Sequence, residues 1–493
     1  MTMKTLFIKS ALSTAIALTV VACSGGSNIA GIGGSGYISS GSVTGFGSIF
    51  VNGVEFETDT AVFNIDSIPG SQSDLVEGMR VKVSGTINPD GVTGTATSVE
   101  FEDQLEGPIS SATLTEDADM ENKTFTVLGV TVRINADDTV FVGTLFDYDT
   151  IASGDNIQIS GFFDANGDLQ ATAVVQKNAF VAGATIIEAK GTISGLSGSN
   201  FTLTVGATML TVDASTADVS QVPGGLADGQ FVEVKGTIAA ANGTLITSTL
   251  VKLEDNNPAE GLEVEIEGII TRFVSASDFD VDDIAVDAST AISTPANFPL
   301  STGIKVEVEG PITGGVLQAR TLKLREGNTR AHATASNVNT IANTFDMTIA
   351  GQTITVTANT STRMEDKVTG NPLSLATLAN VNGKFLRVRG LNDGTGSGLI
   401  ATRIRIEDPN DVILQGTIDS QAIGVSVTVL GVTIAVDVGT SFQDINNIPF
   451  PGGQADFITA TTNGVTLIKI KDKEIGTGGN PVGTADDVEL QQP

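Results

Sequence analysis

The feature that most constrains the fold is a phrase that returns along the chain: a turn ending in Gly, two apolar residues separated by one polar residue, then a second Gly. It reads GMRVKVSG at Gly78 to Gly85, GDNIQISG at Gly154 to Gly161, GQFVEVKG at Gly229 to Gly236, GIKVEVEG at Gly303 to Gly310 and GKFLRVRG at Gly383 to Gly390. A looser copy, NGVTLIKIKD, ends at Asp472. The closing residues are spaced by 76, 75, 74, 80 and 82 residues. Self-similarity at so regular a period implies a tandem array, here of six similar units, each one supersecondary unit long.

Within a unit the apolar residues fall into five runs. In the first unit these are Val43 to Ile49, Phe50 to Val54, Val54 to Phe63, Val81 to Val83 and Thr95 to Phe101. Later units show alternation into a Gly turn, as in FTVLGVTV at Phe125 to Val132, FTLTVGATMLTV at Phe201 to Val212, FDMTIAGQTITV at Phe345 to Val356 and VTVLGVTI at Val427 to Ile434. Period-two alternation with β-branched residues, broken by Gly, predicts β-hairpins, with Phe125, Phe201 and Phe345 in the core. Only stretches such as Ser73 to Met79 and Gly224 to Gln230 could hold a helical turn. Three strands, a turn, then two strands in about 75 residues is the order of an OB-like five-stranded barrel. An SH3-like barrel or a short sandwich gives much the same pattern.

The expected class is therefore all-β, a tandem array of six small barrels over residues 42–103, 104–178, 188–255, 262–326, 330–408 and 411–491. A barrel of this size buries only about 60% of its unfolded surface and is marginal alone, so neighbour contacts matter. The joints are short and charged: Glu102-Asp103-Gln104, then 255–261, 327–329 and 408–411. They predict a bent or semi-rigid string of beads. The joint after Lys177, NAFVAGATIIEA, is instead apolar enough to pack or to extend a strand.

The chain opens with Lys4 and Lys9 and then runs uncharged through SALSTAIALTVVA, residues 10–22. That is the length and flank charge of a secretory signal peptide, too short for a membrane span. Val20-Val21-Ala22-Cys23 resembles a lipobox, in which the cysteine takes a diacylglyceryl group and becomes the new N-terminus. This implies cleavage of residues 1–22, lipid attachment at Cys23, the only cysteine, and a flexible Gly/Ser tether over 23–41. Ser24 after the cysteine favours the outer membrane over inner-membrane retention.

Removing residues 1–22 leaves 24 basic against 57 acidic residues, a formal charge of 24 − 57 = −33. Such a polyanion repels nucleic acid and anionic headgroups. With one cysteine, disulfides and thiolate metal sites are excluded within the chain.

The segment GIGGSGYISSGSVTGFGSIFVNGVEFET, Gly31 to Thr58, resembles the N-terminal signature of Gram-negative lipoproteins built from tandem copies of an uncharacterised small β-barrel domain. The likeness is close over this segment and looser in later units. The resemblance implies a fold and an envelope location, and no activity comes with it.

Catalytic residue types are scarce. His332 is the only histidine, in the strand RAHATAS, and is expected at the surface of an edge strand. Polymer-cleaving clefts use aromatic platforms, and the chain has no Trp and only Tyr37 and Tyr148. Asp278, Asp280 and Asp282, followed by Asp283, alternate with apolar residues, and a strand would set three carboxylates on one face about 6.5 to 7 Å apart, the weak candidate site for calcium. DANGD, Asp164 to Asp168, lacks the calcium-loop spacing and predicts a type I′ turn at Asn166-Gly167, while the acidic EDADMEN, Glu116 to Asn122, reads as a solvated loop. The Gly-rich stretches precede no helix and build no phosphate cradle.

The expected protein is thus a non-enzymatic outer-membrane lipoprotein with no cofactor. Calcium, if it binds, is expected to do so weakly and diffusely. The expected partners are the membrane through the lipid and an envelope protein or extracellular polymer, with nucleic acid excluded. The alternative is an accessory or hydrolytic protein contacting extracellular polysaccharide.

Overall fold

The computed structural model describes residues 37–116, 122–136, 138–254, 258–371, 373–409, 411–445, 448–472 and 483–491. Cys23, the signal peptide and most of the tether lie outside the described residues, as does most of EDADMEN.

The third unit displays the common plan. Its strands are Ile187–Ser197, Asn200–Val205, Thr208–Asp213, Phe231–Thr237 and Leu245–Leu253. The first pairs antiparallel with the second and the fourth, the second with the third, and the fourth with the fifth. The third and fifth run parallel, Val212 beside Ile246, and close the barrel in the order 1-2-3-5-4-1. A short strand, Asp218–Gln221, adds parallel to the fifth. The first, fourth and fifth units close in the same order, the last strand of the fourth being divided into Val316–Gln318 and Thr321–Glu326. In the second unit the first strand meets the first hairpin through one bridge, Ile109 to Val127. From Val412 to Leu490 the strands follow the same order, with a single parallel bridge from Ala435 to Thr484. The core alternation is as expected, and Phe125, Phe201 and Phe345 are buried.

The recurring phrase has a steric cause. Its opening glycines, Gly78, Gly154, Gly229, Gly303 and Gly383, all have positive φ, between 73° and 92°, where side chains are strained. Its closing glycine is needed for another reason. The ladder shifts register at Gly85, Gly161, Gly236 and Gly390, and there the partner strand crosses too near for a Cβ. A Cβ on Gly236 would lie 2.5 Å from the Thr247 carbonyl oxygen.

Three expectations are corrected. Of the two stretches that could hold a helical turn, Ser73 to Met79 begins within one, the 3-10 segment Gln72–Asp74, whereas Gly224 to Gln230 holds none; further helix appears at Leu375–Val381, as 3-10, and at Gln454–Thr459. The turn at Asp164 is not type I′. Gly167 N–H donates to the Asp164 carbonyl at 2.9 Å and only Gly167 has positive φ, so Ala165 and Asn166 form a type I turn closed by a left-handed glycine.

The third correction concerns the string of beads. The first strand of the first unit, Tyr37–Phe46, pairs in parallel with the first strand of the fourth, Glu263–Ser275, placing Ser39 beside Glu265. First strands also join the second unit to the third, Ala189 beside Leu105, and the fifth to the C-terminal unit, Ala331 beside Leu414. The second and third units share one apolar core, from Leu105 to Val251. The apolar joint after Lys177 serves this union, Phe180 packing on that core and residues 187–189 entering the strand. A barrel that is marginal alone gains stability by donating its first strand to a neighbour.

Two outcomes follow. Gly236→Ala should lower stability by about 1–3 kcal/mol through forced backbone displacement, and Gly229→Ala by about 1–2 kcal/mol through strain alone, both read by denaturant unfolding. A fragment of residues 105–254 should unfold in one cooperative transition, whereas residues 187–254 alone should melt at a clearly lower temperature; equal midpoints would contradict the shared core.

Candidate functional site

The period-two pattern places one residue of every pair outside the barrel. On the first, fourth and fifth strands a subset of these outward residues does not meet water. Glu188, Glu233, Glu265, Glu307, His332, Arg405, Gln415, Lys469 and Glu489 are all buried, because these strands carry the faces on which barrels meet. Buried charge must be paired; Lys469 pairs with Glu489 inside the C-terminal unit, and other buried charges are paired where barrels meet.

Between the first and fourth units, the Tyr37 hydroxyl and the Ser39 hydroxyl donate to Glu265 at 2.8 and 2.9 Å, while Arg325 donates to the Asn52 carbonyl at 3.2 Å. Arg80 joins three units: it pairs with Asp282, donates to the Gly161 carbonyl at 3.2 Å and stacks over Phe162 at 4.4 Å. On the fifth unit, Arg389 and Arg403 grip Asp138 of the second, and Arg389 also pairs with Glu326 of the fourth.

The densest seam lies where the first, second and third units meet. Lys235 sits 2.7 Å from Asp66, 2.7 Å from Glu188 and 2.9 Å from Glu233. Lys252 sits 2.5 Å from Glu102, 3.4 Å from Glu233 and 2.9 Å from Glu254. Lys190 reaches Glu102 at 3.2 Å. Asp103, in one of the short charged joints, is 0% exposed. The cluster borders a polar cleft of about 900 Å³ between the first four units, lined by Glu102, Lys190, Lys252 and Glu254 on this side and by Arg80 and Asp282 on the other.

Its electrostatics are set by burial. Desolvation, then the charge of Asp103, push the Glu188 carboxyl up to about 12. Burial would also raise Glu233, but the hydrogen bond from Glu188 and the charges of Lys190 and Lys235 outweigh it and hold Glu233 at about 2. Burial and the neighbouring Glu102 raise Glu254 to about 7, and burial raises Asp103. Glu188 thus keeps a proton that Glu233 accepts.

Other sequence candidates are dispersed. Asp278 and Asp280 share a strand face, but Arg272 holds both, at 2.7 and 2.6 Å. The strand ends at Val281, and Asp282 and Asp283 form a turn with φ of 50° and 63°, so three carboxylates do not line one face. Asp282 points to Arg80 instead. His332 is 3% exposed on a strand flanked on both sides, so it is neither at an edge nor at the surface. The acid cluster escaped sequence reading because Glu233 and Lys235 look like any solvated face of the VEVK pattern; the only signal was that the joint acids Glu102 and Asp103 follow the last apolar residue of a strand without a break.

The raised carboxyls give stability a definite pH dependence. The ordinary value for Glu is 4.5, so the contribution of Glu188 is fully present below about that pH and is lost as pH rises towards 12, with Glu254 adding its loss between 4.5 and about 7. Glu233 acts oppositely, its contribution being lost as pH falls from 4.5 towards about 2. The melting temperature should therefore fall between pH 5 and 9 in the native chain, and Glu188→Gln should flatten that fall; an equal slope in both would contradict the assignment.

No curated protein matches the chain at a significant level. Among solved structures it is similar to "drosophila Unr CSD456", with 13% sequence identity, 62% of this chain and 98% of the other covered, and a TM-score of 0.12. The family described as "Domain of unknown function (DUF5666)" matches residues 35–100, 106–175, 190–249, 252–323 and 337–405. These five stretches cover more than half of the sequence and coincide with the first five barrels, so the chain belongs to the DUF5666 family as a tandem array of its domains.

Proposed function

We propose that this is a non-enzymatic lipoprotein of the outer membrane, anchored through Cys23, that holds an acidic assembly of OB-like barrels off the lipid for binding, adhesion or envelope scaffolding. The observation that carries this reading is the seam structure: outward faces of the barrels are spent on one another, so the chain presents one connected acidic body rather than separate active modules. The strand order 1-2-3-5-4-1 supports the OB-like description of each unit. The partners are the membrane through the lipid and an envelope protein or extracellular polymer. A formal charge near −33 argues against nucleic acid.

The alternative, a polysaccharide accessory or hydrolase, draws on the pair Glu188 and Glu233, whose proton affinities are driven apart as in acid/base pairs. Both carboxyls are buried under Lys235, however, out of reach of a polymer. Tyr37 and Tyr148 are buried, and Phe46, 40% exposed, is the one aromatic among the exposed large apolar side chains of the described residues. Neither feature provides a sugar platform.

Palmitate labelling and membrane fractionation test the anchor. The native chain should take up label and sediment with outer membranes, and Cys23→Ala should lose the label and become soluble. Equal labelling of both, or of neither, would sink the lipoprotein reading.

A further inference from the structure

We propose that the arginine-rich face of the fifth barrel binds a small multivalent oxyanion of the phosphate or sulfate class, with Arg389 and Arg403 as its central ligands and Arg363 at the solvent side, in competition with Asp138 of the second barrel. The proposal is independent of the lipid anchor and of the acidic junction near Asp103.

The first ground is a reversal of charge. In the first, third and fourth units the residue three places before the closing glycine faces an opposite charge on the last strand: Lys82 opposite Glu100, Glu233 opposite Lys252 and Glu307 opposite Lys323. Lys469 opposite Glu489 continues the pattern in the C-terminal unit. In the fifth unit the same place sets Arg387 opposite Arg405, and the next outward pair is Arg389 opposite Arg403. Arg330 on the first strand lies opposite Arg389, and Arg363, on the short parallel strand Arg363–Asp366, lies beside Arg403. Like charges directly opposite one another are destabilising, so a face built from them calls for anions.

The second ground is the count. The ion pairs of this face run to four carboxylates among the described residues, Asp138, Glu326, Glu365 and Glu407, against these six arginines and Lys367. The excess is three positive charges, in a chain with 57 acidic and 26 basic residues.

The third ground is the resident anion. Asp138 stands on a turn fixed by its own N–H donating to Asn135 Oδ1 at 3.1 Å and by Asn135 N–H donating to Thr139 Oγ1 at 2.9 Å. Arg389 Nη1 donates to its Oδ2 at 2.6 Å and Arg403 Nη1 pairs with its Oδ1, so two guanidinium groups hold the two oxygens of one carboxylate. A cavity of about 30 Å³ adjoins it, bounded by Asp138, Arg330, Arg389 and Arg403, with room for more than one water. Arg363 and Lys367, with side chains 67% and 57% exposed, open the face to solvent.

A phosphate-class anion carries more charge and more acceptor oxygens than a carboxylate and matches the guanidinium fork. The acidic surface repels it only within a Debye length of about 8 Å at physiological salt. Its entry displaces Asp138 and so loosens the tie between the second and fifth barrels.

The test is calorimetric titration of the full chain with sodium pyrophosphate at a constant ionic strength of about 0.15 M, where diffuse effects are screened. One saturable equivalent is expected. Arg389→Gln with Arg403→Gln should weaken it by at least about tenfold, the scale of losing charge-assisted hydrogen bonds. Arg363→Gln, at an exposed side chain where the fold is not at stake, should weaken it by about threefold, the scale of one exposed charge pair. Arg272→Gln, on another barrel, should leave it unchanged, and Asp138→Asn, which removes the resident competitor, should bind more tightly. Co-sedimentation of Cys23→Ala with phosphatidate vesicles separates the sources: protein left in the supernatant assigns a dissolved ligand, and sedimentation that pyrophosphate reverses assigns a lipid headgroup. No saturable pyrophosphate heat in the native chain overturns the proposal, as does native affinity in the Arg389/Arg403 or Arg363 variant, or unchanged or weaker affinity in Asp138→Asn.

Discussion

The structure depends on one constraint: charged residues on the polar side of several first, fourth and fifth strands, Glu188, Glu233, Glu265, Glu307 and Lys469 among them, are buried, so they must find partners there. Glu233, Glu307 and Lys469 occupy the position between two core residues of their strands, which in an isolated barrel would face water. Here they are held by Lys235, by Lys323 and Arg325, and by Glu489 respectively. Breaking one member of such a pair leaves an uncompensated buried charge, which is far costlier than losing an exposed ion pair. Those three pairs lie within single barrels; between barrels the charged ties are Tyr37 and Ser39 to Glu265, Lys235 to Asp66, Arg80 to Asp282, and Arg389 to Asp138 and Glu326.

This explains how weak units make a connected whole. Each barrel is near the lower size limit for an independent core, and the chain answers by sharing first strands and, in the second and third units, a single core. The contacts ignore chain order. The first unit is paired by strand with the fourth, and the fifth grips both the second and the fourth through Arg389. The seams then act as long-range ties, and the acid-rich junction near Asp103 is the place where protonation enters the stability of the assembly.

Much of the single-unit fold was legible. The phrase between Gly229 and Gly236 marked a turn and a strand, and both glycines have separate physical reasons to be there, positive φ at the first and close backbone approach at the second. The hairpin of Phe201 to Val212 and its buried Phe201 were equally readable. The association of units was not. Alternation of apolar and polar residues is identical whether the polar side meets water or another barrel, so Glu233 gave no sign of burial. For the same reason the pattern makes Asp103 look like a linker residue, and His332 looks like an edge residue because strand order beyond one unit has no local signature. The run Asp278 to Asp283 misled at its end: the strand stops at Val281 and turns, carrying Asp282 to Arg80.

Small-angle X-ray scattering of the purified chain tests the central claim, that seams bind the barrels into one connected body. A chain of this length packed as one compact body has a radius of gyration of about 23 Å, or somewhat more for a non-spherical outline, whereas barrels strung in line would give roughly 45 Å or above. The account predicts a value in the lower range, rising when Arg80 and Arg389 are both replaced by alanine. A native radius near that of the extended string, or one unaffected by those replacements and by pH, would contradict it.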